Sequence, residues 1–265
     1  MVKRNPRKPK DRDNSRAGVK KSSLPSSDPS WLYGFHTVLA ALRNPHRQIK
    51  RVVTTKKGGD RLRNSLKENG NFEIVDSKAI EDLLPPGSIH QGIALLAAPL
   101  EPPTIETLIK RISGAACIVV LDQVKDPQNV GSIMRSAAAF GAEALIVQAR
   151  HAPGVTGALA KAASGAVETI PMVPVTNLTR GLETLKEASF WCVGLDAAAK
   201  NFISDINLDG RIALVMGAED TGLRRLTRKD CDLLARLPTK PEFDTLNVSA
   251  AATVALYETA RQQKS

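Results

Sequence analysis

Aromatic residues are scarce in this 265-residue chain, at 4%, although 42% of it is hydrophobic and Ala, Val, Leu and Ile abound. So few rings exclude an aromatic-rich sandwich or a lectin-like surface, and the aliphatic supply favours helices packed on a sheet. Cysteine is sparse too. Cys117, Cys192 and Cys231 lie far apart, each in or beside an apolar run, with no C-x-x-C pair and no Cys/His ligand spacing. They read as reduced, buried thiols of a cytoplasmic protein and exclude a zinc or redox motif. The four histidines are equally scattered, so no metal is expected. No apolar run approaches the roughly 18 residues that span a bilayer. The charged, Pro-rich start has no signal-peptide core, so no membrane partner is expected. G-x-G-x-x-G and G-x-x-x-x-G-K-[ST] are both missing, which removes the dinucleotide and P-loop fingerprints and weighs against a nicotinamide-dependent dehydrogenase.

Positive charge is plentiful but unevenly placed. The chain carries net +10, and residues 1–21 hold nine Lys/Arg against two Asp, leaving +3 for the remainder. Residues 1–28 are rich in Lys, Arg, Ser and Pro without apolar periodicity, and predict a basic disordered tail suited to a polyanion. From Trp31 the pattern changes. Phe35, Val38, Leu39 and Leu42 predict a core-facing helix, and the segments that follow complete a compact αβαβαβ unit over residues 29–98. Residues 99–112, with Pro99, Pro102 and Pro103, read as a linker. Residues 113–265 then read as a second domain able to fold alone. Its continuous apolar runs (CIVVLD, ALIVQ, IPMVPV, FWCVGLD, IALVMG, LLARLP) predict an α/β fold with a parallel sheet buried on both faces. The last helix, near residues 247–261, is apolar through Val248, Ala251, Ala252, Ala255 and Leu256. That breadth predicts packing on two sides, one of them a second subunit.

Ligands of a parallel α/β sheet bind beyond the carboxyl ends of its strands. Three such ends are polar. In LDQVKDPQNVGSIMR, residues 121–135, a strand ends at Asp122 and a helix begins near Asn129. Val130, Ile133, Met134, Ala137 and Ala138 form its apolar stripe, and Arg135 falls off it. Asn129 taken alone could be an N-cap and Gly131 a packing glycine. In VMGAEDTGL, residues 215–223, Gly217 admits a close backbone approach, Glu219 sits in the turn, and Gly222 suits φ > 0. In LPTKPEFDTLNVSAAA, residues 237–252, Thr245, Asn247 and Ser249 flank a helix start, whose N–H groups can also hold an anion.

Together, N-x-G-x-x-x-R after a strand, a G-x-E-x-x-G turn, and L-N-V-S opening the last helix resemble the SpoU (TrmH) family of RNA ribose 2′-O-methyltransferases, within the SPOUT superfamily. The resemblance covers residues 113–265, and LYGFHTVLAAL and IHQGIAL extend it to a small front domain similar to a ribosomal protein (L30e-like). With that domain it is nearest to the bacterial enzymes that methylate a guanosine ribose of 23S ribosomal RNA. It implies a deep trefoil knot, S-adenosyl-L-methionine as cofactor and a homodimer with sites near the interface. It places cofactor binding on Gly217, Leu237, Leu246 and Thr245, and polar catalytic and substrate roles on Asn129, Arg135, Glu219 and Asn247. Pro241 stands where the family has glycine, removing an N–H and the φ > 0 option, so the local loop path is expected to differ. Two other functions fit the residues: methylation of transfer RNA, and a non-catalytic RNA-binding ribosome-assembly factor. Retention of all four polar positions weighs against the latter.

Overall fold

The computed structural model describes residues 28–67, 71–240, 242 and 246–264. The expected basic tail, apart from Asp28, lies outside the described residues, as do Pro241 and Thr245.

The front domain holds strands β1 (Ser30–Tyr33), β2 (Ile49–Thr54), β3 (Glu73–Ile74) and β4 (Ile93–Ala97), with helices α1 (Phe35–Arg43), α2 (Lys56–Leu66) and α3 (Ser77–Glu81) between them. The sheet order is β1-β4-β2-β3, with β4 antiparallel to both neighbours and β3 parallel to β2. Strand β1 was not expected. It has four residues, too few to show alternation, and exists because it pairs with β4 from Ser30↔Ala97 to Tyr33↔Ala94.

Residues 105–111 do not belong to a linker. They form α4 (Ile105–Arg111), capped by the Thr104 side chain. Ile105, Leu108 and Ile112 pack in one cluster with Ile118, Val120, Leu182 and Leu185 of the second domain. Only residues 98–104 are left to connect the two sheets.

The second domain continues as β5 (Ala116–Leu121), α5 (Pro127–Ala139), β6 (Ala144–Gln148), α6 (Gly157–Ala163), β7 (Met172–Val175), α7 (Leu178–Glu187) and β8 (Trp191–Leu195). Then come β9 (Asn201–Phe202), β10 (Arg211–Met216), α8 (Arg225–Asp230), β11 (Leu233–Arg236) and α9 (Val248–Gln263). The seven strands are ordered β7-β6-β5-β10-β8-β11-β9, and every pairing is parallel. All six residues of β5 are buried, as continuous apolar runs require. From β5 the chain runs outward through β6 and β7, then crosses to β8 and returns to place β10 beside β5. That reversal creates the crevice where ligands of such sheets bind.

The two domains share a core. Leu32, Phe35, Val38 and Ala41 pack in the same cluster as Leu159, Ala160, Ala163 and Ala166. Thr37 Oγ1 donates to the Ala160 carbonyl at 3.1 Å. Glu168 receives Arg47 Nη2 at 2.6 Å, Arg47 Nε at 3.1 Å and Asn44 Nδ2 at 2.7 Å. The two charged side chains of this pair are 3% and 4% exposed. Gly165, at φ +99°, meets Ala40 so closely that a Cβ would collide with it. Removing the front domain would bare an apolar face of the second and leave Glu168 without its arginine.

Candidate active site

The helix after β5 starts at Pro127, whose fixed φ and missing N–H suit that position. Asp126, not Asn129, is its cap: the carboxylate accepts from the N–H groups of Gln128 and Asn129 at 3.3 and 3.1 Å. The Asn129 side chain is thereby free to point elsewhere. Its Nδ2 donates to Glu219 Oε1 at 3.1 Å. Asn247 does both things the sequence left open. Its Oδ1 caps α9 by accepting from Ser249 N at 2.9 Å, while its Nδ2 donates to Asn129 Oδ1 at 3.1 Å and to Glu219 Oε1. Loops separated by 90 and 118 residues therefore meet at one carboxylate held by two amides, with no cation paired to it among the described residues. They border a cleft of about 330 Å³ lined by residues 123–126, Asn129 and residues 218–221.

Asp122 directly follows β5 and is fully buried. Its carboxylate accepts from Arg224 Nε at 2.6 Å and from the Arg224 backbone N–H at 3.0 Å. This clamp fixes the turn carrying Glu219 to the end of β5. The sequence reading assigned neither residue a role; an acid closing an all-apolar strand was the available signal. Gly222 takes φ +63° as expected, and the turn closes with paired Ala218 and Gly222 backbone bonds. At Gly217 the space a Cβ would fill is taken by the backbone of Gly222 and Leu223, so the turn itself demands glycine there. Gly131 packs against α6, where a Cβ would strike Leu159 O and Ala162. Replacing Asp122 with alanine should destabilise the fold by about 1.5–3 kcal/mol, the weight of hydrogen bonds to a charged group. Urea denaturation checks it, and an unchanged midpoint would mean the clamp is slack.

Arg135 is exposed, six residues beyond Asn129 and so about 9 Å further along the helix axis. It has no side-chain partner among the described residues. In particular it does not pair with Glu219, whose oxygen the asparagines occupy. Its neighbour Ser136 shares a 2.7 Å hydroxyl contact with Thr253, so Arg135 emerges beside the α5–α9 seam. Leu237 is half-buried just past β11, and Leu246, 44% exposed, immediately precedes Asn247.

The cysteines stand apart from this chemistry. Burial pushes the thiols of Cys117, Cys192 and Cys231 up to about 12, so all three stay protonated near neutrality. Native protein at pH 7.5 should take up no iodoacetamide within an hour, read by intact mass; rapid labelling of any one would contradict the burial.

Residues 116–257 match the model of the SpoU rRNA Methylase family, and residues 31–103 match that for RNA 2′-O ribose methyltransferase substrate binding. The chain belongs to the SpoU rRNA methylase family. Among curated relatives of this family, the 23S rRNA (guanosine-2′-O-)-methyltransferase RlmB of Nitrosomonas europaea is 38% identical over 237 residues, covering 88% of this chain and 91% of its own. The enzyme of the same name from Coxiella burnetii is also 38% identical, with 88% and 96% covered. Among solved SpoU structures, AviRb from Streptomyces viridochromogenes in complex with the cofactor AdoMet shares the fold at TM-score 0.73 and 23% identity, covering 89% and 91%.

Proposed function

We propose that this protein transfers a methyl group from S-adenosylmethionine to the ribose 2′-hydroxyl of a guanosine in 23S ribosomal RNA. The observation that carries the reading is the meeting of Asn129, Glu219 and Asn247 at the crevice between β5 and β10. That junction lies in a chain 38% identical to proteins named for this reaction. The substrate-binding model matched by residues 31–103 supports an RNA partner.

Bound S-adenosylmethionine supplies an electrophilic methyl carbon on a sulfonium. The donor set fits such a group: among the described residues the cleft lining carries Asp126, Glu219 and Asp220 against one cation, Lys125, a field favourable to a sulfonium. Gly217, Leu237 and Leu246, with Thr245, would hold it, the leucines offering apolar surface to an adenine. Asn129 and Asn247 fix the Glu219 carboxylate and orient the ribose, and much of the rate comes from that positioning. Arg135 carries a guanidinium, a group too basic to act as a general base. Its guanidinium therefore serves as an electrostatic partner for the oxygen as the hydroxyl ionises, and grips a neighbouring phosphate.

Val254 (42% exposed) and Tyr257 (54% exposed), one turn apart, form an apolar stripe along the outer side of α9, and exposed Leu246 lies just before its start. A second copy of the chain covers that stripe in this reading, giving a homodimer with Arg135 near its edge. The path from β10 through β11 back to α9, which packs on α5, β5 and β10, is read as the trefoil knot of the superfamily. Among the described residues no helix is long and apolar enough to cross a membrane, and the work on ribosomal RNA is assigned to the cytoplasm. Ribose-methylation mapping across ribosomal and transfer RNA from a strain lacking the gene tests the substrate. Loss of one 23S methylguanosine is expected. Loss of a transfer-RNA mark alone, or an unchanged map, would overturn it.

A further inference from the structure

We propose that the junction between the two domains holds an unpaired nucleotide of the substrate RNA, its base stacked on Arg61 and its phosphate on Lys161. The inference rests on the RNA reading above and adds to it a site outside the cleft. Arg61 belongs to α2, and its guanidinium carbon lies 3.6 Å from the centroid of the Phe35 ring. The ring is buried and the arginine exposed. One face of the guanidinium therefore rests on an aromatic floor while the other is open, a preformed flat cation on which a base can stack.

Charge separates this pair from its neighbours. Arg47, Arg51 and Arg63 each pair with a carboxylate, on Glu168, Glu73 and Asp60. Neither Arg61 nor Lys161 forms an ion pair with a described carboxylate. Lys161 comes from α6 of the other domain, and Gln91 brings it to the same place. The Gln91 Oε1 accepts from Lys161 Nζ at 3.0 Å and from the Phe35 backbone N–H at 3.1 Å. Gln91 does this from φ +56°, a backbone region unfavourable to a side-chain-bearing residue, so the bridge is held against strain. Partial burial lowers the Lys161 pKa from its ordinary value, and a phosphate would offset that by favouring the charged form. An open stacking plane and, across the Gln91 bridge, an ammonium without a described carboxylate partner match one nucleotide, base and phosphate together. Duplex RNA hides its base faces, so the nucleotide must be unpaired.

The test uses the full chain, with fluorescence anisotropy on two probes: an unstructured ten-nucleotide RNA and a sixteen-base-pair RNA duplex. Arg61→Ala should weaken the single-stranded probe about tenfold, the weight of one stacked base, and leave the duplex within about twofold. Arg61→Lys should recover only part of the loss, because an ammonium lacks the plane. Lys161→Ala should reduce the salt slope by about one phosphate. Because Lys161 also bonds Gln91, the exposed Arg61 is the deciding position, and the thermal melt of its variant should equal wild type. Wild-type binding of the single strand by Arg61→Ala, or equal losses on both probes, would overturn the site. If Arg61→Ala shows the loss but the protein methylates no RNA, the reaction reading fails and the site stands. If methylation proceeds and Arg61→Ala binds as wild type, the reverse holds.

Discussion

Arg135→Ala is expected to slow methyl transfer by about 10²–10³-fold, the cost of removing one preorganised donor aimed at developing charge. Its fold should survive. Arg135 is exposed and makes no hydrogen bond or ion pair among the described residues, while Val130, Ile133, Met134 and Ala137 bury the other side of α5. A guanidinium that acts only as the hydroxyl ionises contributes to the transition state and not to cofactor binding, so the loss should fall on kcat with cofactor affinity unchanged. A lost phosphate grip would add a rise in KM for RNA. Arg135→Lys should restore part of the rate, since the planar fork is gone but the charge remains. An ordinary surface arginine would cost under about 1 kcal/mol on removal, less than roughly fivefold. Single-turnover methylation at saturating cofactor separates these outcomes, and a near-wild-type rate would remove Arg135 from the chemistry.

Glu168→Ala is the change with the largest expected effect on stability. It leaves Arg47, with a side chain 3% exposed, as a buried charge without its partner. Breaking such a pair from one side costs about 3–5 kcal/mol, which for a domain of this size lowers Tm by about 10 °C. Asn44 loses its acceptor as well. Replacing both charges together, Arg47→Met with Glu168→Leu, should recover much of the loss, because the penalty comes from the orphaned charge. Thermal melts of the single and double variants decide it. A melt within about 2 °C of wild type for Glu168→Ala would mean the junction opens to water.

Strands β5, β6 and β10 at the centre of the second sheet were legible because burial on both faces writes itself as uninterrupted Val, Ile and Leu. Shorter elements left no such trace. Strands β1 and β9, of four and two residues, owe their form to partners distant in sequence. Helix α4 was hidden by the prolines before it, although Ile105, Leu108 and Ile112 carry helical spacing. The order of the three polar loops was readable, but their meeting depends on β10 returning beside β5, which no local pattern encodes. The Asp122–Arg224 clamp spans 102 residues for the same reason. Asn247 could be read as a cap or as a site residue because a single amide can do both, with its oxygen on α9 and its nitrogen on Glu219. The domain junction left no local pattern: it depends on Gly157 and Gly165, which in the structure admit the front domain at close range.

The most direct test of the account is methylation by the purified full-length protein. Deproteinised 23S ribosomal RNA would be incubated with isotopically labelled S-adenosylmethionine, then digested and read by mass spectrometry. One labelled 2′-O-methylguanosine at a single position is expected, approaching one methyl per RNA molecule, with no label in transfer RNA. Label on a base atom, or no transfer to ribosomal RNA at saturating cofactor, would contradict it.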